Sequence, residues 1–442
     1  MNNTASLRRT ERAASGRFSA ARTATFLAAL MLTVVIMSFR PFQPGGAGTL
    51  NEVAAAGGDV VNQLGFGSLG AIAVFSMLCF VDRRVLSALL SPWWLLLVGL
   101  LFLSVLNAMD PPSAMRAVSF TLIGIVTIAA VLTLPRDAES FSKVVAFSGF
   151  FIIGLSMAGL VIFPNEAMHT AASLEPEHAG LWRGVFSHKN IAGPVMACFS
   201  FAGIYLYRRG WTRSGVLLFA AAMLFMLQTG SKTTAGLVPL SVLIVVLPGV
   251  IGMRLVTPLL FAAAVAITAF ATLGIVFIDP LKSLAAQLAP DLTYTGRTAL
   301  WQFSGEMIVH HPWTGYGYES FWGTPIVTDG DQPFDRDWDI RGIVHGHNGY
   351  LDIAVFMGLP ALAVAVVTFL VEPLRDYMRI PLRRENVYLG DLFMMITLFT
   401  ALNAFLESFF FRRADPVWLL FVFGILGLRL TARFPVPAKR PG

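Results

Sequence analysis

The chain has 442 residues, 56% hydrophobic and only 13% charged, with a formal net charge of +6. A soluble domain keeps roughly a quarter of its residues charged to wet its surface, so composition excludes a soluble enzyme and points to one polytopic membrane domain over 1–442. The two cysteines, Cys79 and Cys198, lie inside apolar runs; they supply neither a disulfide framework nor a metal knuckle and read as small core residues.

Runs of about 17 to 25 apolar residues, enough to cross a bilayer as a helix, predict spans near 24–39, 62–81, 89–109, 117–134, 143–163, 191–207, 214–229, 233–250, 256–278, 349–371, 391–411 and 416–430. The expected fold is an all-α integral membrane protein of about twelve transmembrane helices. The first run follows Arg8, Arg9, Arg12, Arg17 and Arg22. Without a small-residue cleavage site, and with a multispanning chain behind it, it reads as a membrane helix and not a signal peptide. With the N-terminus inside, 21 of the 32 lysines and arginines fall on the inner side, as the positive-inside rule requires. Both termini are therefore expected in the cytoplasm. The positive net charge reflects this bias, with basic ends touching anionic lipid heads and no nucleic-acid partner.

Two outer loops are expected, one near 164–190 and a long one at 279–348, between the ninth and tenth spans. Length of that kind is usually functional. The long loop carries Trp301, Trp313, Trp322 and Trp338 with Asp329, Asp331, Asp335, Asp337 and Asp339, and all seven histidines fall in the two loops. Lys189, Lys232, Arg297, Arg341, Arg412 and Arg413 face outward against the charge bias. Snorkelling or a local pair such as Arg413 with Asp415 explains any one of them. Convergence of several on one vestibule makes a site for a polyanion at the membrane surface.

Four segments carry these residues. Gly184-Val185-Phe186-Ser187-His188-Lys189-Asn190 precedes a helix with Gly193 and Pro194, and the free N–H groups of a helix start suit phosphate. Thr229-Gly230-Ser231-Lys232-Thr233-Thr234 is a tight outer turn with hydroxyls and a charge but without the rest of a nucleotide P-loop. In Thr295-Gly296-Arg297-Thr298-Ala299-Leu300-Trp301, Thr295 is the expected N-cap, and Arg297, Leu300, Trp301, Ser304 and Ile308 share one helical face; a helix resting on the outer leaflet is the plainer alternative. The fourth, His345-Gly346-His347-Asn348-Gly349-Tyr350-Leu351-Asp352, opens the next membrane helix. Its His-x-His pair admits a metal, a capping role or a general base. No carboxylate or cysteine at ligand spacing completes a metal site, and an imidazole with a pKa near 6.5 takes a hydroxyl proton at neutral pH.

The set Phe186-Ser187-His188-Lys189-Asn190, Gly230-Ser231-Lys232-Thr233, Thr295 through Trp301 and His347-Asn348-Gly349-Tyr350-Leu351 resembles the O-antigen ligase and polymerase superfamily. In its His-Lys-Asn variant it is most similar to exopolysaccharide polymerases. The shared region would cover 185–375. The family often has arginine in the short outer turn where this chain has Lys232, a point charge without the bidentate fork.

The resemblance implies cofactor-free, metal-independent glycosyl transfer at the periplasmic face of a bacterial inner membrane, from a glycan carried on polyprenyl diphosphate. It would place His188, Lys189, Asn190, Ser231, Lys232, Arg297, Arg341 and Arg412 at the diphosphate and substrate. His347 would be the base, with His345 as fallback and Asn348 holding the imidazole or the acceptor. Trp313, Trp322 and Trp338 would stack on sugars or form an interfacial belt. The acceptor is another repeat unit for a polymerase, lipid A-core for a ligase or a serine for a protein-glycosylating relative. A flippase and a chain-length regulator are the expected partners. The competing class is a twelve-helix sugar or anion transporter, for which Glu407 and Asn403 inside an apolar run are the main argument; they are read here as pocket residues partnered to the outer cations.

Overall fold

The computed structural model describes residues 3–42, 60–171, 176–288, 296–329 and 339–439. Among them it is all-helical, with a single isolated bridge between Met168 and Trp182. In chain order the helices are α1 (Asn3–Met37), α2 (Val60–Phe80), α3 (Arg83–Leu89), α4 (Pro92–Val105), α5 (Pro111–Thr133), α6 (Ala138–Ile162), α7 (Lys189–Arg208), α8 (Thr212–Gln228), α9 (Lys232–Val250) and α10 (Thr257–Ala269). They are followed by α11 (Asp279–Leu288), α12 (Arg297–His310), α13 (Gly349–Val366), α14 (Arg384–Asn403) and α15 (Pro416–Arg433).

Local chemistry sets many of these boundaries. Asp110, Asp137 and Asp415 each accept a first-turn N–H through the side chain, and prolines follow at Pro111 and Pro416, where a helix needs no donor. Gly358, at φ 81 and ψ 171, breaks α13 just before Pro360, a backbone state that glycine adopts at little cost. A side chain there would collide with the Trp313 carbonyl at 2.4 Å.

Nine of the described helical segments are long and apolar enough to cross a membrane, or ten if α3 and α4, bent by 62°, form one span. That is short of the expected twelve. The remaining expected runs are helical too, but α8 has only 17 residues and α14 opens with Arg384 and Glu385 and carries Asp391. The run expected at 391–411 also differs: its helix spans Arg384–Asn403 and the chain then turns. The apolar pattern continues past Asn403 because Phe405, Phe409, Phe410 and Phe411 pack inside the protein, buried to within 5% exposure.

Helices α7, α14 and α15 form the centre. The most apolar stretches of α7 and α15 are each 78% buried, against 17% for the span containing α10, and every α14 residue from Leu389 to Asn403 is buried. The outer helices turn Leu255, Leu259 and Ile267 outward, the arrangement a lipid solvent permits. Helix α8 lies hard against α7 at Gly203 and Gly215, where an added Cβ would sit 2.7 and 2.5 Å from the opposing backbone; small residues let membrane helices approach this closely. Cys198 is buried in α7, but Cys79 is exposed, so only one of the pair is a core residue.

The helix ends away from the histidines are tied by buried ion pairs. Asp391 meets Arg208 at 2.8 Å and Arg254 at 3.2 Å, and Arg209 joins Glu139 to Glu385. Arg429 donates to the carbonyls of Ala88 and Leu90. Charges withdrawn from water persist when paired in this way.

Candidate functional site at the converging helix starts

At the other end, the connector after α14 is the hub. Gly349 N–H donates to the Ala404 carbonyl at 2.8 Å, and Asn348 N–H donates to Ser408 Oγ at 3.0 Å. The Asn348 side chain works in both directions. Its Oδ1 caps α13 by accepting from Tyr350 and Leu351 N–H, while its Nδ2 donates to the Phe405 carbonyl at 3.0 Å. Asn348 is wholly buried and is thus a brace.

Two further helix starts reach the same connector. Arg297, the first residue of α12, donates to the Leu406 carbonyl at 2.7 Å and to Glu407 Oε1 at 3.1 Å. Asn190, in the first turn of α7, donates from Nδ2 to the same Oε1 at 3.3 Å. His347 brings Nδ1 within 3.4 Å of Glu407 Oε2. Three helix N-termini, each with a partial positive charge, thus meet at one carboxylate. Burial pushes the Glu407 carboxyl up, but its contact with His347 and the Arg297 charge outweigh this, so it stays below the usual range.

The His-Gly-His turn is held from beneath. Asp352 accepts from Gly346 N–H at 3.1 Å and from Trp322 Nε1 at 2.8 Å, and Trp301 Nε1 donates to the Gly346 carbonyl at 3.1 Å. The His345 and His347 rings lie 4.1 Å apart. His347 sits at φ 49, a left-handed conformation uncommon for a side-chain-bearing residue and concentrated where structure serves function. Burial, then His347, Arg412, Arg297 and His188, hold His345 well below its usual pKa, so it stays neutral.

The α7 start is built from histidines. His188 is the N-cap, its Nδ1 accepting from Asn190 N–H at 3.1 Å, and His169 Nε2 accepts from Lys189 N–H at 3.2 Å. Ligand atoms of His169, His178 and His188 lie within 4.8 Å of one another, close enough to suggest a metal. Two of these rings, however, already spend the lone pair of one nitrogen on a backbone N–H. A neutral imidazole then carries its proton on the other nitrogen, whereas a metal-ligating histidine donates from its outer nitrogen. The donor set fits a helix cap better than a metal.

The turn before α9 lies against α7. A Cβ on Gly193 would meet Thr229 Oγ1 at 3.1 Å and Ser231 Cβ at 3.3 Å, and Ser231 Oγ hydrogen-bonds Thr234 Oγ1 at 2.8 Å. Lys232 is exposed at this start. Arg412 is exposed, with Nη1 3.4 Å from the Ser408 carbonyl, a long contact.

Several expected placements change. Arg341 is not brought to the hub; it pairs with Asp339 in an exposed loop, and its hydrogen bonds lower Asp339 to about 2. Arg413 pairs with Glu319 at 2.8 Å and not with Asp415, which caps α15. Trp322 is buried with its N–H committed to Asp352, so it braces the turn and offers no sugar platform. Trp313 is 76% exposed. The N-cap of α12 is Gly296, at φ 78; Thr295 and Trp338 lie outside the described residues. Leu300, Trp301, Ser304 and Ile308 do form the buried face of α12. Two contributors were not singled out from sequence: Ser408, which has no local signal, and Asp352, an acid in an apolar helix, which is one.

Comparison with known proteins bears out the resemblance read from the sequence. The sequence model described as O-antigen ligase matches residues 214–366, which include Lys232, Arg297, His345, His347 and Asn348. The chain is also 28% identical over 209 residues to "Exopolysaccharide production protein ExoQ" of Rhizobium meliloti (strain 1021). That alignment covers 42% of this chain and 45% of the relative, so the match spans less than half of either. The chain is a multi-pass membrane protein similar to O-antigen ligases and to an exopolysaccharide production protein.

Proposed function

We propose that the protein is a glycosyltransferase that extends or transfers a glycan carried on polyprenyl diphosphate. The observation that supports this best is the meeting of three helix starts, with Arg297 and His347, on the connector at 404–408. Helix N-termini and an arginine fork are suited to a diphosphate, and an imidazole just before the N-cap of a helix is suited to a sugar hydroxyl.

In this reading twelve helices cross a bacterial inner membrane, both termini are cytoplasmic, the loop at 279–348 is periplasmic and the core region is 185–375. A flippase delivers the donor, and a regulator sets chain length. The diphosphate lies against Lys189, Lys232 and Arg297, with Arg412 at the rim. His347 Nε2 takes the acceptor hydroxyl proton, the acceptor oxygen bonds the anomeric carbon, and the glycosyl–phosphate bond breaks with its electron pair going to the diphosphate. The cations stabilise that growing charge, which is electrostatic transition-state stabilisation. His345, kept neutral by burial and neighbouring positive charge, is the poorer base.

The exopolysaccharide relative favours another repeat unit as acceptor over lipid A-core. Glu407, the main argument for a transporter, sits past the end of α14 among the helix starts and not near the middle of a span, which favours the enzyme. The test is to incubate purified protein in nanodiscs with lipid-linked repeat units, without ATP or an ion gradient. Longer glycans are expected; no new glycosidic bond would overturn the reading.

A further inference from the structure

Glu407 is the carboxylate on which these helix starts converge, and its two oxygens serve different partners. Oε1 accepts from Arg297 Nη2 at 3.1 Å and from Asn190 Nδ2 at 3.3 Å. Oε2 is 3.4 Å from His347 Nδ1, which is beyond an ordinary hydrogen bond. The His347 Nδ1 atom is buried and makes no hydrogen bond. A buried imidazole nitrogen without a partner is costly, and here an acceptor stands a few tenths of an ångström too far away.

Resting on the glycosyl-transfer reading, we infer that Glu407 is a positioning residue that changes partners: it neutralises Arg297 in the donor-free protein, and the donor's diphosphate takes Arg297 from it, freeing Glu407 to close on His347 Nδ1–H. A diphosphate carries more charge than a carboxylate and matches the guanidinium fork, so it competes for Arg297 on favourable terms. Once Arg297 leaves Oε1, which Asn190 still holds, a small rotation of the carboxylate shortens the His347 contact. The bond from Nδ1–H fixes the tautomer with the lone pair on Nε2, the atom assigned above to the acceptor hydroxyl. When Nε2 takes the hydroxyl proton, Glu407 balances the imidazolium charge. The base is thereby oriented only when the donor is in place. The charged and titratable groups facing Glu407 are Arg297 from α12, His188 from α7, His347 from the turn before α13 and, through His345, Arg412 of its own connector.

The experiment is steady-state kinetics of wild type, Glu407→Gln and Glu407→Asp in nanodiscs with polyprenyl-diphosphate-linked repeat units, from pH 5 to 8. Glu407→Gln is expected to keep or lower the donor KM while kcat falls about 10²-fold, the scale of a mispositioned base. The acidic limb of its kcat profile moves to lower pH, because a neutral amide no longer supports a protonated ring. Glu407→Asp restores the wild-type limb with part of the rate. A merely structural role changes kcat and KM together and leaves the limb in place, and that result overturns the inference. Wild-type kinetics in Glu407→Gln also overturn it. Wild type that forms no bond with this donor removes the glycosyl-transfer reading itself.

Discussion

Replacing Arg297 by lysine tests the anion site with the least disturbance. The guanidinium makes two bonds at once, to the Leu406 carbonyl at 2.7 Å and to Glu407 at 3.1 Å. It also stands at the unsatisfied N–H end of α12, whose N-cap glycine offers no side chain. Lysine keeps the charge but cannot hold a carbonyl and fork onto a phosphate together. A lost hydrogen bond to a charged group costs about 1.5 to 3 kcal/mol, which corresponds to roughly 10- to 150-fold in kcat/KM. The assay is initial rate against donor concentration at matched amounts of folded protein, with a thermal midpoint for each variant. Arg297→Lys should melt near wild type yet lose activity within that range. Arg297→Ala, which also strands Leu406 and Glu407, should lose stability as well. Wild-type kcat/KM in either variant would refute a role in donor binding.

His347→Gln should reduce kcat by about 10² to 10⁴ while a donor-binding assay stays near wild type, and His345→Ala should be milder; equal losses with sensitivity to EDTA would move the metal reading back into play. Asn348→Ala removes the cap on Tyr350 and Leu351 and leaves the Phe405 carbonyl unpaired. It should cost about 2 to 4 kcal/mol, read as a lower thermal midpoint in detergent, with Asn348→Asp retaining the cap and losing less. Because His345 has a folded pKa below its unfolded value near 6.5, the unfolded chain binds the extra proton. The stabilisation is complete above about pH 6.5 and is lost as pH falls below it, by at most about 1.4 kcal/mol per pH unit. His345→Phe should flatten that dependence in a pH series of thermal midpoints, and an unchanged slope would contradict it.

The apolar runs made the helices legible because a bilayer demands length and hydropathy and little else. The helix starts at Lys189 and Gly349 were legible too, from a polar capping residue placed just before an apolar run. The end of α14 was not. Phe405, Phe409 and Phe410 continue the apolar run past Asn403, so hydropathy gives no stop signal there, and no residue type announces the left-handed φ at Phe411 and Ala414 further on. Arg297, His347 and Asn348 were found as residues whose polarity conflicts with a membrane setting. Glu407 was legible as a pocket residue partnered to outer cations; that Arg297, 110 residues away, is one of those partners was not, since nothing local links the two. Trp322 departs for the opposite reason: it has the composition of a sugar-stacking residue, but it is buried and Asp352 already occupies its N–H.

The most direct measurement counts both products in one reaction. Purified protein in nanodiscs receives a lipid-linked repeat unit, with EDTA present and no nucleotide. Polyprenyl diphosphate and new glycosidic linkages are then quantified together over time. The account predicts one diphosphate released per linkage formed, unaffected by EDTA and slowed about 10²- to 10⁴-fold in His347→Gln. Linkages that vanish with EDTA would contradict the metal-free mechanism, and donor recovered intact with no linkage formed would contradict the enzyme.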